Sequence, residues 1–113
     1  MKKHTLRIRE VDRYVFEALR QGSKTIETRA ATSNFRKIRK GDMLNFICGK
    51  DKFGKKVKRV SFFKTIDEMV KVIDFKKIMP FASSVAEMEN VYYSFPGYRE
   101  KIQKFGLVAL DFY

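Results

Sequence analysis

Gly22 divides two incompatible periodicities, and that boundary constrains the fold more than any other feature of the chain. Before it, Val11, Tyr14, Val15, Ala18 and Leu19 recur at the spacing of an amphipathic helix, with Asp12 in the first turn, where the helix dipole favours a carboxylate. After it, Thr25, Ile26 and Thr28 supply the β-branched side chains that favour a strand. A residue without Cβ can take the left-handed conformation that commonly closes a helix, so Gly22 is the expected terminator.

Residues two apart on a strand share a face. Thr25, Glu27 and Arg29 are therefore expected on one side, Ile26 and Thr28 on the other, with Ile26 facing the core. Lys24 starts the strand, where the preceding loop can turn its amine toward Glu27 and Arg29, so three charges converge on one patch. If the strand is solvated, the Glu27/Arg29 pair is worth only about 0–1 kcal/mol, and burial decides whether the patch is a site or ordinary surface.

The remaining segments place this motif in an α+β chain. Thr5-Leu6-Arg7-Ile8-Arg9 alternates as a half-buried strand does, and Met43-Leu44-Asn45-Phe46-Ile47-Cys48 is apolar enough for a central one. Gly49 to Lys56 reads as a hairpin loop, with Phe53 at its tip, leading into a strand over Val57 to Phe63. Ile66, Met69, Val70 and Ile73 form a short helical stripe, Phe75 to Pro80 is ambiguous, and Ser84-Val85-Ala86-Glu87 has capping-box spacing for a helix to about Tyr93. A last helix is expected over residues 98–104, and Gly106 to Tyr113 closes the chain as a strand beside the first or the central one. The expected architecture is a single α+β domain spanning residues 1–113, a small, strongly curved β-barrel with flanking helices.

Charge narrows the partner. The 25 Lys+Arg against 13 Asp+Glu give a net charge of +12, and residues 82–113 are slightly acidic, so residues 1–81 carry a net +13. Such an excess points to a polyanion, nucleic acid first. Arg36, Lys37, Arg39 and Lys40 form one cationic loop after the motif strand. Lys50, Lys52, Lys55, Lys56, Lys58 and Arg59 make the hairpin basic against Asp51 alone, suited to phosphates, with Phe53 as a stacking ring.

Other chemistries find little support. Cys48, the single cysteine, reads as a packed thiol, and with His4 as the one histidine no zinc site of the usual ligand set can form. No metal or cofactor is expected. No apolar run approaches the roughly 18 residues of a membrane span, and Met1-Lys2-Lys3-His4 leads into an alternating strand instead of a signal-peptide core, so a cytoplasmic protein is expected.

The motif residues carry a resemblance. Gly22, Lys24, Glu27 and Arg29 match each fixed position of the Gly-x-Lys-x-x-Glu-x-Arg motif that follows the first helix in the ASCH domain family, within the PUA-like superfamily. Lys40-Gly41-Asp42 before a strand, Ser84 to Glu87 opening a helix, and the final Gly106-Leu107-Val108-Ala109-Leu110 strand agree as well. The resemblance covers nearly the whole chain. It implies a small β-barrel with flanking helices, a cleft lined by the motif, and binding of RNA or a modified nucleoside. One branch of the superfamily is an amidohydrolase that deacetylates N4-acetylcytidine with a Lys, a Thr and a Glu. Lys24 matches that Lys, Glu27 stands at the branch's Thr, and Met79-Pro80-Phe81 occupy the region of its Glu.

Two functions follow. In an RNA-binding module, Gly22, Lys24, Thr25, Glu27 and Arg29 would hold a base or sugar, while Arg36, Lys37, Arg39, Lys40, Lys52, Lys55 and Lys56 neutralise phosphates. In an amidohydrolase, a desolvated Lys24 would act as base, with Glu27 shuttling the proton and Thr25 as the hydroxyl on the same face. Whether Tyr92, Tyr93, Phe95 and Tyr98 are core or a stacking wall stays open.

Overall fold

The computed structural model describes residues 1–113. The chain runs β1 (Lys3–Arg7), a 3-10 turn (Glu10–Asp12), α1 (Arg13–Gln21), β2 (Ile26–Ala30), α2 (Ser33–Arg36), β3 (Met43–Cys48), β4 (Asp51–Phe63), α3 (Ile66–Val72), α4 (Phe75–Ile78), α5 (Val85–Ser94), α6 (Tyr98–Phe105) and β5 (Leu107–Phe112). Its radius of gyration, 13.2 Å, matches the roughly 13 Å of a compact domain of this length.

One five-stranded mixed sheet has the order β1-β3-β4-β5-β2, with β1 parallel to β3 and every other pairing antiparallel. The long β4 belongs to two ladders. Residues 51–56 pair with β3, residues from Val57 onward pair with β5, and a register shift between Val57 and Arg59 marks a bulge of the kind that bends a strand. The sheet is thus curved, but β1 and β2 remain separate edges. The expected α+β class is observed, but the small, curved β-barrel is not confirmed, because no ladder joins those two strands.

β5 lies between β4 and β2, not beside the first or central strand as its sequence suggested. Its alternating residues feed two cores. Val108, Leu110 and Phe112 join Leu6, Phe16, Leu19, Leu44, Phe46 and Val57 beneath α1, whereas Leu107 and Ala109 join Ile26, Met69, Ile78, Met88, Tyr92 and Ile102 beneath the later helices. A strand buried on both faces reads as a continuous apolar run, which is why Leu107 to Leu110 shows no alternation.

Two local expectations need correction, and one ambiguous stretch is resolved. The apolar stripe of α1 is centred on Phe16 and Leu19, both fully buried, while Val11 and Tyr14 are 74% and 51% exposed. Val11 sits in the 3-10 turn, and the helix begins only at Arg13. The basic hairpin loop does not exist. Only Gly49 (φ +58°) and Lys50 turn the chain, so Lys52, Lys55 and Lys56 lie on β4, and Phe53 stacks on Phe46 with ring centroids 5.0 Å apart. Residues 75–78, ambiguous in sequence, form α4, whose Asp74 side chain accepts from the Lys76 N–H.

Candidate functional site

The cleft opens where the sheet fails to close. It has a volume of about 320 Å³ and is lined from one edge by Arg7, Ile8 and Arg9, and from the other by Lys24, Glu27, Thr28 and Arg29. Tyr14 of α1, Tyr92 and Phe95 at α5, Tyr98 of α6 and Phe81 add aromatic walls. On the face where β5 gives Val108 and Leu110 to the first core, the paired β2 residues are Arg29 and Glu27. Charge replaces apolar packing there, at the sheet edge.

Local geometry fixes Lys24. Gly22 (φ +91°) closes α1, and the Gly22 and Lys24 N–H groups both donate to the Ala18 carbonyl. Thr25 N–H then donates to Lys77 C=O, tying the start of β2 to α4. The Lys24 side chain is 4% exposed. Its Nζ donates to Ile26 C=O at 2.8 Å and to Ile78 C=O, and lies 3.4 Å from Glu27 Oε1. Three acceptors around one nitrogen match the three protons of an ammonium.

Glu27 is the hub. Its Oε2 accepts from Arg29 Nη2 at 3.3 Å and its Oε1 from the Thr28 N–H at 3.1 Å. Burial raises the pKa of such a carboxyl, but Lys24, Arg29 and the Thr28 amide outweigh it and hold Glu27 below its ordinary value. For Lys24 burial pushes the pKa down, the Glu27 carboxylate and its hydrogen bond pull it back, and Arg29 lowers it further, leaving the net shift downward. Arg29 is the solvent-facing end of this chain of charges, with a 30% exposed side chain and its guanidinium 5.7 Å over the Phe35 ring.

Thr28 Oγ1 shares a hydrogen bond with Tyr92 Oη, and Tyr98 Oη accepts from the Ala30 N–H at 2.9 Å. Burial raises both phenol pKa values, so both hydroxyls stay protonated. The aromatic group left open by sequence divides. Tyr92 is core and cleft wall at once, Phe95 and Tyr98 line the cleft, and Tyr93 lies outside its lining, under the Arg99 guanidinium at 4.2 Å.

The structure brings Lys24, Glu27 and Arg29 together as expected, with Lys24 and Glu27 buried and Arg29 partly exposed. It does not bring in the other candidates. Gly22 is a helix cap, and Thr25 precedes β2, is exposed and stays outside the cleft lining. Arg36 donates to Phe105 C=O, Arg39 donates to Arg36 C=O, Lys37 borders a separate depression beside His4, and Lys40 is exposed away from the cleft lining. Lys52, Lys55 and Lys56 are strand residues outside it. Conversely, Arg7, Arg9, Thr28 and Tyr14 were not anticipated. Arg7 and Arg9 alternate with Leu6 and Ile8, and that alternation was the available signal that they project away from the core. Arg9 is paired with Asp12 at 2.9 Å.

His4 and Cys48 do not meet. His4 Nε2 lies 2.8 Å from Asp42 Oδ2, while Cys48 is a buried free thiol near Arg9 and Glu10. No group of three or more His, Cys, Asp or Glu side chains is placed to hold a metal ion, and no helix is long and apolar enough to cross a membrane.

No protein-family model matches the sequence, and no functionally curated protein does. Solved structures do. The chain is similar to the crystal structure of hypothetical protein PH0355, at 28% identity and a TM-score of 0.83, over 99% of this chain and 97% of that one. It is also similar to the solution structure of protein PF0455 from Pyrococcus furiosus, at 26% identity and a TM-score of 0.74, over 96% of each chain. The likeness spans the whole chain and concerns the fold.

Proposed function

We propose that this chain is an ASCH-type, PUA-like module that binds RNA by holding one nucleoside in the cleft between β1 and β2. The observation that carries this reading is the Glu27 carboxylate, held ionised by Lys24 and Arg29 at the floor of an aromatic-walled cleft. A buried carboxylate accepts from an exocyclic amine such as the N4 group of cytosine, the Arg29 fork donates in a plane, and flat rings such as Tyr98 and Phe95 accept a stacked base. The cleft volume of about 320 Å³ lies at the lower end of small-ligand sites, which fits one nucleoside. The open sheet is consistent with an incomplete barrel whose gap serves as the binding site.

Amidohydrolysis is the second reading, favoured by one feature, the lowered pKa of Lys24. A neutral amine has two protons, whereas the Lys24 nitrogen faces two carbonyls and a carboxylate, an arrangement that stabilises the ammonium. Binding without turnover is therefore preferred.

Calorimetric titration with cytidine, uridine, adenosine, guanosine and N4-acetylcytidine tests both readings. At least one should bind, and Arg29→Met, at a half-exposed position, should abolish it without unfolding the chain. No binding by any of the five overturns the nucleoside site. Release of cytidine from N4-acetylcytidine by wild type, and not by Lys24→Met, would make the cleft an amidase.

A further inference from the structure

We infer that the outer face of the β1-β3-β4 sheet is a track for single-stranded RNA that leads into the cleft at Arg7; this rests on the nucleoside reading of the cleft. Registry places the residues. Leu6, Phe46 and Phe53 pair in one row and point to the core, with Phe16 of α1 packed 5.0 Å from Phe53 on that side. The alternate residues form three rows on the other side, exposed on β1 and β4 and half-buried on β3.

The first row is Arg7, Ile47 and Lys52, and the third is Lys3, Met43 and Lys56, each set aligned across the three strands. All four cations are exposed, whereas Ile47 and Met43 between them are half-buried. The middle row, Thr5, Asn45 and Gly54, is small and uncharged. No acidic residue occurs in any of the three rows. Asp51, the nearby carboxylate, belongs to the opposite face and is held there by Arg13 at 2.8 Å.

Strand geometry sets the scale. Lys3 and Arg7 lie about 13 Å apart along β1, and the outer strands about 9.5 Å apart across the sheet. Four cations at the corners of such a patch, around an uncharged middle row, can each meet a phosphate of one strand passing over it. Tyr113, 68% exposed, continues the third row, with Lys56 Nζ 5.9 Å from its ring centroid and its N–H donating to Lys56 C=O. An exposed ring beside a basic row is a stacking position for an unpaired base. Arg7 belongs both to the first row and to the cleft lining, and an unpaired base is what the cleft must receive. The combination selects single strands, since bases stacked inside a duplex can reach neither ring nor cleft.

The test is fluorescence anisotropy with a labelled single-stranded RNA decamer containing all four bases, from 0.05 to 0.3 M salt. Wild type is compared with Lys52→Glu/Lys56→Glu and with Lys71→Glu/Lys101→Glu, which changes net charge equally at exposed positions elsewhere. Loss of two phosphate contacts should make the log–log salt slope shallower by about 1.4 and weaken binding about 25-fold at 0.1 M salt, in the first variant alone. Tyr113→Ala should weaken it about 5- to 150-fold. Equal losses in both double variants, or equal affinity for a duplex of the same sequence, overturn the track. Calorimetry with the free nucleoside separates the two ideas. A track variant that still binds nucleoside confines any failure to the track, and decamer binding that persists with no nucleoside bound, yet needs Lys52 and Lys56, leaves the track standing without the cleft.

Discussion

Lys24 Nζ lies 3.4 Å from Glu27 Oε1, and both side chains are almost wholly buried, at 4% and 6% exposure. Two charges removed from water lose their hydration, and their attraction compensates only while both are present. Glu27→Gln leaves an ammonium facing a neutral amide. Urea unfolding should therefore show a loss of about 3–5 kcal/mol for Glu27→Gln. The double variant Lys24→Met/Glu27→Gln should lose less than the two single variants together. Strict additivity would mean the pair is not coupled.

The sequence period made the meeting of Lys24, Glu27 and Arg29 legible, but not their burial. What covers them comes from far along the chain: the Ile78 carbonyl of α4, from a stretch with no clear period, and the rings of α5 and α6. Gly54 shows the opposite error. It reads as a turn residue, yet it lies within β4, where a Cβ would sit 2.9 Å from Asn45 Oδ1 and 3.2 Å from Met43 Sδ. Its absence of side chain serves cross-strand packing, which no local pattern reveals. The strand boundaries of β3 were readable because Met43 to Cys48 is bounded by two glycine turns.

Asp42 is an acid-sensitive clamp. It accepts from the Arg39 N–H at 3.0 Å and the Lys2 N–H at 3.1 Å and lies 2.8 Å from His4 Nε2. The His4 contact first, then the two amides, lower its pKa from 3.8 to about 2. A depressed carboxyl pKa stabilises the fold above the unfolded value and loses that contribution as pH falls through the folded one. At pH 6, Asp42→Asn should cost about 1.5–3 kcal/mol. The gap between wild type and variant should hold down to about pH 4 and close by about pH 2. A gap independent of pH across that window would show that the carboxylate charge is not what is lost.

Gly106 and Gly22 both have positive φ, but they differ in surroundings. Gly106 (φ +75°, ψ −162°) occupies a region essentially closed to other residues, and a Cβ there would lie 2.5 Å from the Phe63 carbonyl oxygen. Gly22 (φ +91°, ψ 5°) has open space around it. Gly22→Ala should cost about 1–2 kcal/mol from the left-handed backbone alone. Gly106→Ala should exceed the roughly 1–3 kcal/mol of its backbone term, because the clash is with main chain that cannot rotate away. Thermal unfolding of the two variants under one condition gives the comparison, and equal losses would refute the steric part.

Thr28 and Thr25 separate a buried hydroxyl from an exposed one. Thr28 Oγ1 shares its hydrogen bond with Tyr92 Oη in the second core, whereas the exposed Thr25 is engaged through its backbone N–H to Lys77. Thr28→Val keeps the shape and leaves the Tyr92 hydroxyl unpaired in a buried setting, a loss of about 1–3 kcal/mol. Tyr92→Phe should cost a similar amount, because it strands the Thr28 hydroxyl in turn. Removing both hydroxyls leaves no unpaired polar atom, so Thr28→Val/Tyr92→Phe should be less destabilised than the sum of the single variants. Thr25→Ala should stay within about 0.5 kcal/mol of wild type. Since Thr25 also lies outside the cleft lining, its replacement should leave nucleoside affinity unchanged in the calorimetric titration. A Thr25→Ala variant that lost binding would move the site away from the Lys24–Glu27–Arg29 cluster and toward the exposed start of β2.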